Sequence, residues 1–151
     1  YAELRQLSEA LGYPIILDES LTSSAQFRFL EGTADRWVIN VRVSKMGGLL
    51  RSLGVVSAAR ARGIPLIVGA QVGETSLLTR AALIVAQAAG DDLLAQEGAF
   101  GTFLLERDVC DPSLMFGAGG ILDPRTYPFD TLGFGLPLSP YGANGKPPKN
   151  A

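Results

Sequence analysis

Residues 39–49 read INVRVSKMGGL. β-Branched residues alternate with polar ones as far as position 44, and the glycine pair Gly47 and Gly48 then interrupts the run. β-Branched residues favour strands, paired glycines favour turns, and helical spacing returns after the glycines. The stretch therefore predicts a strand, a turn and a helix, with the charged residues Arg42 and Lys45 where the strand ends.

The same succession of apolar strand, polar turn and helix recurs on both sides of this stretch. Leucines at positions 4, 7 and 11 predict that the chain opens inside a helix. Thr75 or Ser76 is suited to cap a later helix. The predicted elements are a strand at 14–17, a weaker helix at 22–30, a strand at 38–44, a helix from 48, a strand at 66–69, a helix ending at Gly90, and a strand within 99–109.

This order predicts an α/β fold with a parallel sheet. Strands joined by helical crossovers lie parallel, and ligands bind at the carboxyl ends of such strands. The polar residues near the strand ends are therefore expected at one edge of the sheet. They are Asp18 and Glu19, Arg42 and Lys45, Gln71 and Glu74, and Glu97 at the start of the last strand.

Composition excludes several functional classes. The net charge of -2, without a basic stretch, argues against a nucleic-acid partner, and no apolar run approaches the ~20 residues of a membrane helix. The absence of histidine excludes Ser-His-Asp catalysis and most zinc sites. Cys110, the one cysteine, is expected to be a packed thiol in a reducing compartment, which indicates a cytoplasmic protein.

Two interpretations are open for each leading polar residue. Asp18 suits a ligand of Mg²⁺, which prefers oxygen donors, but spacing alone favours a cap or first-turn acid for the next helix. Arg42 shares a strand face with Asn40 and Ser44, and that face is expected to look inward. Arg42 then either holds a substrate carboxylate or forms a structural ion pair with a neighbour such as Asp18. Lys45 has the features of a solvated loop lysine.

Taken together, these residues resemble the C-terminal half of an enolase-superfamily barrel, in the mandelate racemase/muconate-lactonising branch. Four motifs carry the resemblance, which covers residues 1–136. They are PIILDES at 14–20, INVRVSKMGGL at 39–49, GAQVGETS at 69–76 and EGAFGT at 97–102.

The resemblance implies strands 5 to 8 of a TIM-like (β/α) barrel and Mg²⁺-assisted removal of a proton α to a substrate carboxylate. Asp18 matches the third metal ligand, and Asn40 and Arg42 match inward residues of the sixth strand. The implied site has Arg42, Glu74 and Lys45 as catalytic residues, Asn40, Gln71 and Glu97 as substrate-binding residues, and Asp18 as metal ligand.

Arg42 departs from the pattern of the branch, in which many members have a catalytic lysine at this position. An arginine side chain keeps its proton and is a poor base. The histidine that the mandelate-racemase subgroup places on the seventh strand is also absent. These departures disfavour a two-base racemase and favour a lyase or isomerase that uses one base, such as an acid-sugar dehydratase or a cycloisomerase.

The length departs from the family as well, since a full barrel needs ~250 residues. We therefore expect a fragment, inactive alone, of an enzyme that forms a homo-oligomer at full length. Residues 1–136 would be the half-barrel with its return segment from 117, and residues 137–151 an irregular tail. Two alternatives stay open: a non-catalytic member that binds an anionic small molecule through Arg42, and a stand-alone open α/β domain.

Overall fold

The structure, a computed structural model, describes residues 1–98, 100–123 and 132–139, without the side chain of Thr102. The described elements are α1 (Ala2–Leu11), β1 (Ile15–Leu17), 3₁₀ helices at Ser24–Phe29 and Ala34–Arg36, β2 (Trp37–Val41), α2 (Val43–Met46), α3 (Leu49–Arg60), β3 (Leu66–Val68), α4 (Ser76–Ala89), a 3₁₀ helix at Gly90–Asp92, β4 (Leu93–Gln96), α5 (Gly101–Leu104) and a 3₁₀ helix at Ala118–Gly120.

The four strands form one sheet in the order β1-β2-β3-β4, and every described pair is parallel. Ile15 pairs with Trp37 and Ile39 with Leu66, so consecutive strands lie side by side in chain order. All five residues of β2 are buried, as expected of a parallel strand that is covered on both faces. The predicted α/β class with a parallel sheet is confirmed.

The chain divides into two compact units. The first consists of Tyr1–Gly69 and Ile84–Glu97, and the second of Ala70–Leu83 and the described residues of Gly98–Ala151. The first unit holds the whole sheet, and α3 packs against β2. The apolar face of α3 is buried there, with Val55, Val56 and Ala59 at most 3% exposed.

Strand β2 ends three residues earlier than its sequence pattern predicts. Arg42 is still extended, with φ −109° and ψ 124°, but Val43–Met46 form a single helical turn. Gly47 ends this turn in the left-handed conformation at φ 82°, which glycine adopts without steric cost. The prediction that Ser44 continues the strand face of Asn40 and Arg42 is therefore wrong.

The last strand lies at Leu93–Gln96, so its predicted place within 99–109 is wrong. A short 3₁₀ turn follows α4 and leads directly into β4, whereas residues 101–104 are helical. Glu97 consequently follows the carboxyl end of β4 and is not at its start. The weaker helix predicted at 22–30 is a 3₁₀ helix, Ser24–Phe29.

The predicted tail lies mostly outside the described residues. Within 132–139, Leu138 forms an isolated antiparallel bridge with Cys110, and the Ser139 amide donates to the Val109 carbonyl at 2.8 Å. The division at residue 136 stays a prediction, and 124–131 of the predicted return segment are likewise outside the described residues. In the described part of the chain, no helix has the length and apolar character to cross a membrane.

Candidate active site

Asp18 lies immediately after β1 and contacts two cations that follow β2. Its Oδ2 accepts a hydrogen bond from Arg42 Nη2, and its Oδ1 accepts one from Lys45 Nζ. Arg42 also reaches Glu19, with 3.4 Å between Nη1 and Oε1. The parallel pairing of β1 with β2 brings these residues together, because it sets the carboxyl ends of the two strands side by side. The predicted convergence of Asp18 with Arg42 and Lys45 is present.

The carboxylate of Asp18 does not cap the following 3₁₀ helix. At that helix start, Gln26 Oε1 accepts from the Thr22 and Ser23 amides at 2.8 and 3.0 Å. The interpretation of Asp18 as a helix cap is therefore wrong. The ion pair between Arg42 and Asp18, one of the two interpretations of Arg42, is formed.

Lys45 is the least exposed member of this ionic cluster of Asp18, Arg42 and Lys45. Its side chain is 8% exposed, against 23% for Asp18 and 18% for Arg42. Besides Asp18 Oδ1, its Nζ donates to the Asp18 carbonyl at 2.7 Å and to the Asn40 carbonyl at 2.9 Å. These three bonds match the three N–H donors of an ammonium group. The interpretation of Lys45 as a solvated loop residue is wrong, because α2 turns it back over the strand ends.

Asn40 lies in β2, two residues before Arg42, and is 4% exposed. Its Oδ1 is buried without a hydrogen-bond partner among the described residues. A buried polar atom left in this state costs about 1–3 kcal/mol, so it needs an explanation. Gly69, one residue beyond β3, makes room for the side chain: a Cβ at position 69 would lie 2.2 Å from that oxygen.

Glu97 is placed at the same edge of the sheet, because its amide donates to the Val68 carbonyl at 2.9 Å. The residue is exposed, one position beyond the end of β4. Strand β3 separates β4 from β2, so the sheet alone brings no contact between Glu97 and Arg42.

Gln71 and Glu74 belong to the second unit and lie together in the turn before α4. Glu74 is 6% exposed, and its Oε1 accepts a hydrogen bond from the backbone N–H of Gln71 at 2.9 Å. The Glu74 amide donates in return to the Gln71 carbonyl at 3.3 Å. Glu74 thus has a structural role in its own turn.

Gly69 leaves room for Asn40, and Asp108 binds the start of α4. Neither role has a signal of its own in the sequence. Asp108 Oδ2 accepts a hydrogen bond at 2.9 Å from the backbone amide of Ser76, the first residue of α4, and the Thr75 carbonyl accepts from the Thr79 amide at 3.1 Å. Asp108 Oδ1 accepts from the Cys110 amide at 2.9 Å. The pKa of the Cys110 thiol is raised by burial, and then by the negative charge of Asp108.

The donors fit a magnesium ion only in part. Asp18 is the right type of ligand, a carboxylate at the carboxyl end of a strand. Each of its oxygens already contacts a cation, and each keeps a second lone pair that could bind a metal ion. Among the described residues, no group of three histidine, cysteine, aspartate or glutamate side chains could hold a metal. Asp18 is therefore the candidate ligand, and the part of the chain that the structure describes does not complete a three-ligand site around it.

Comparison with known proteins identifies the family. Residues 1–141 match the family described as enolase C-terminal domain-like. The chain is 30% identical over 106 residues to the L-Ala-D/L-Glu epimerase of Escherichia coli, and this match covers 70% of the chain and 30% of the epimerase. It is 30% identical over 80 residues to the N-acetyl-D-glutamate racemase of a Pseudoalteromonas species, covering 53% of the chain and 25% of the racemase.

A solved structure agrees with both relatives. An enolase family member from Agrobacterium tumefaciens, with homology to dipeptide epimerases and with bound sodium and L-Ala-L-Glu, is 33% identical at a TM-score of 0.56. The match covers 72% of this chain and 30% of that protein. The chain thus spans at most about a third of the length of these relatives. It belongs to the mandelate racemase/muconate-lactonising branch of the enolase superfamily, and its four parallel strands are part of the C-terminal barrel of that family.

Proposed function

We propose that the protein is an isomerase that removes the proton α to the carboxylate of an N-acylated amino acid or dipeptide and returns it. The observation that carries the proposal is the contact of the Asp18 carboxylate with Arg42 and Lys45 after neighbouring strands. The relatives support the reaction class, because both curated relatives are named as an epimerase or a racemase. We propose an N-acyl group on the substrate because the names of both relatives refer to N-acylated compounds, an N-acetyl amino acid and a dipeptide.

In this proposal Asp18 is a ligand of Mg²⁺. When bound, the metal would neutralise the charge of the substrate carboxylate and so weaken the neighbouring C–H bond. Arg42 binds a carboxylate oxygen of the substrate and stabilises the negative charge that develops as the proton leaves. A guanidinium group suits this role because its planar fork of donors matches a carboxylate.

Lys45 acts on the position of Asp18. Its ammonium holds the backbone carbonyl and one carboxylate oxygen of that residue and is tied to β2 through the Asn40 carbonyl. A lysine whose three donors are all bonded inside the protein is badly placed to accept a proton from a substrate. We therefore assign Lys45 as a positioning residue.

Proton transfer is assigned to carboxylates, because a guanidinium group is a poor base. Glu97 is exposed at the carboxyl edge of the sheet, where a carboxylate can meet a ligand. Glu74, in the second unit, stays a predicted catalytic residue, and its Oε1 already accepts a hydrogen bond from the Gln71 backbone amide. Asn40 is assigned to the substrate pocket, and Gln71, in the second unit, stays a predicted substrate-binding residue.

A second candidate function is a one-base lyase or cycloisomerase, such as an acid-sugar dehydratase. The observation that favours it is Arg42 itself, which stands where many members of the branch have lysine. An epimerase needs proton transfer on both faces of the α-carbon, whereas dehydration needs one base and a leaving hydroxyl group. The products separate the two reactions.

The test is proton NMR of the full-length protein in D₂O with N-acetyl-L-glutamate, L-Ala-L-Glu and hydroxy acids of the sugar series. Isomerisation predicts loss of the α-proton signal and formation of the other stereoisomer, with Mg²⁺ present and not with a chelator. The variant Arg42→Met should reduce the rate about 100-fold, since it removes a charge at the reacting centre. Arg36→Met is the matched control, because Arg36 pairs with Asp35 at the amino end of β2.

Formation of a keto acid from a hydroxy acid would favour the lyase. Binding of the acids without exchange or turnover would favour the non-catalytic anion-binding member. The homo-oligomer and the cytoplasmic location stay predictions, which light scattering and fractionation would test.

A further inference from the structure

The side-chain oxygen of Asn40, Oδ1, is buried and unpaired among the described residues. The residue is 4% exposed. A buried acceptor in a folded protein normally meets a donor from the protein, from water or from a ligand. Its neighbours in the first unit show where a donor would have to lie.

The surroundings of Asn40 fix its side chain towards the carboxyl edge of the sheet. Val41 and Val68 are paired in register, and the Gly69 amide donates to the Val41 carbonyl at 2.9 Å. Gly69 therefore lies beside position 42, beyond Asn40 in the direction of the strand ends. The side-chain amide of Asn40 packs against Gly69, because a Cβ built on Gly69 would lie 2.2 Å from Asn40 Oδ1.

Arg42 lies on the same face as Asn40, because the backbone stays extended through Arg42. Two residues of extended chain separate their Cα atoms by about 6.6 Å. The α-carboxylate and the amide nitrogen of an N-acylated amino acid are attached to one carbon atom. A single molecule of that class is therefore of the right size to contact both residues.

We propose that Asn40 Oδ1 accepts a hydrogen bond from the amide N–H on the α-carbon of the substrate, and that Gly69 is glycine because this contact needs the space. The inference rests on the proposed function and adds a determinant of specificity to it. The two curated relatives are named for an N-acetylated amino acid and a dipeptide, each of which has such an N–H. A site built around an acceptor rejects an analogue that lacks the donor, because the buried acceptor is then left unpaired.

A pair of substrates tests the contact directly. N-acetylglutamate has the N–H, whereas 2-acetoxyglutarate replaces it with an ester oxygen at the same position. The measured quantity is the ratio of kcat/KM for α-proton exchange between amide and ester in the wild type and in Asn40→Leu. The ratio is expected to fall about 10-fold in the variant, because only the amide loses a hydrogen bond. Damage to the fold or to the metal site lowers both rates and leaves the ratio unchanged.

Gly69→Ala is the second variant, in case Asn40→Leu does not fold. It keeps the amide group but forces it out of place, so the ratio should fall in the same direction. An unchanged ratio in a variant that still exchanges both substrates would overturn the contact and leave the proposed function intact, as expected if a water molecule satisfies the oxygen. A wild-type protein that exchanges neither substrate but turns over another acid would overturn both.

Discussion

Replacement of Asp18 by asparagine should destabilise the protein more than any exposed ion pair can. The variant keeps the shape of the side chain but removes the charge shared by Arg42 and Lys45. Loss of one partner of a fully buried pair costs about 3–5 kcal/mol, and exposed pairs are worth about 0–1 kcal/mol. Lys45 is 8% exposed but keeps two carbonyl acceptors, and Asp18 is 23% exposed. We therefore expect a loss of about 2–3 kcal/mol.

Urea unfolding of the wild type and of Asp18→Asn measures this loss as a difference in the free energy of unfolding. Asp35→Asn is the matched control, because Asp35 pairs with Arg36 at 3.1 Å but is 73% exposed. It should change the free energy by less than about 0.5 kcal/mol. A double-mutant cycle of Asp18→Asn with Lys45→Met should give a coupling energy above about 1 kcal/mol. Equal losses for Asp18→Asn and Asp35→Asn would refute the reasoning, since the cluster would then behave as a surface pair.

Three further changes test the packing, the helix cap and the thiol. Gly69→Ala should lower the stability by about 1–3 kcal/mol in thermal unfolding, because its Cβ would collide with Asn40. Gly54→Ala in α3, with open space around it, should stabilise by about 0.5–1 kcal/mol. Equal effects of the two variants would contradict the close approach of Asn40 to Gly69. Asp108→Ala removes the acceptor from the first amide of α4 and should cost about 0.5–2 kcal/mol in urea unfolding, and a neutral result would exclude the cap. The thiol of Cys110 is 3% exposed and its pKa is raised, so its alkylation at pH 8 should be much slower in the folded protein than in the protein unfolded by urea. The stability that the neutral thiol contributes should be lost as the pH rises above the ordinary thiol pKa. Equal alkylation rates in the two states would contradict the burial of Cys110.

The contact between Asp18 and Arg42 could be predicted from the sequence. Each residue follows an apolar strand, and the rule that helical crossovers join parallel strands sets these strand ends side by side. The shared strand face of Asn40 and Arg42 followed from the same period of two. These predictions depend only on the alternation of side chains and on strand order, which a sequence shows directly.

Lys45 was misinterpreted because its position depends on a backbone detail. The left-handed Gly47 closes a one-turn helix that returns Lys45 to the strand ends, and a glycine pair alone does not separate this geometry from an open loop. Strand β4 was misplaced because it is only four residues long, and acidic residues precede it and follow it. The bond between Asp108 and Ser76 spans 32 residues, a distance at which local sequence rules carry no information.

The most direct test of the central claim is deuterium incorporation at the α-carbon of N-acetyl-L-glutamate in D₂O with Mg²⁺, comparing the full-length wild-type protein with its Asp18→Asn and Asp35→Asn variants. If Asp18, Arg42 and Lys45 form part of the active site, the wild type and Asp35→Asn incorporate deuterium, and Asp18→Asn is slower by at least about 100-fold, since it loses a metal ligand and the order of the cluster. Incorporation by a folded Asp18→Asn at the wild-type rate would contradict the account.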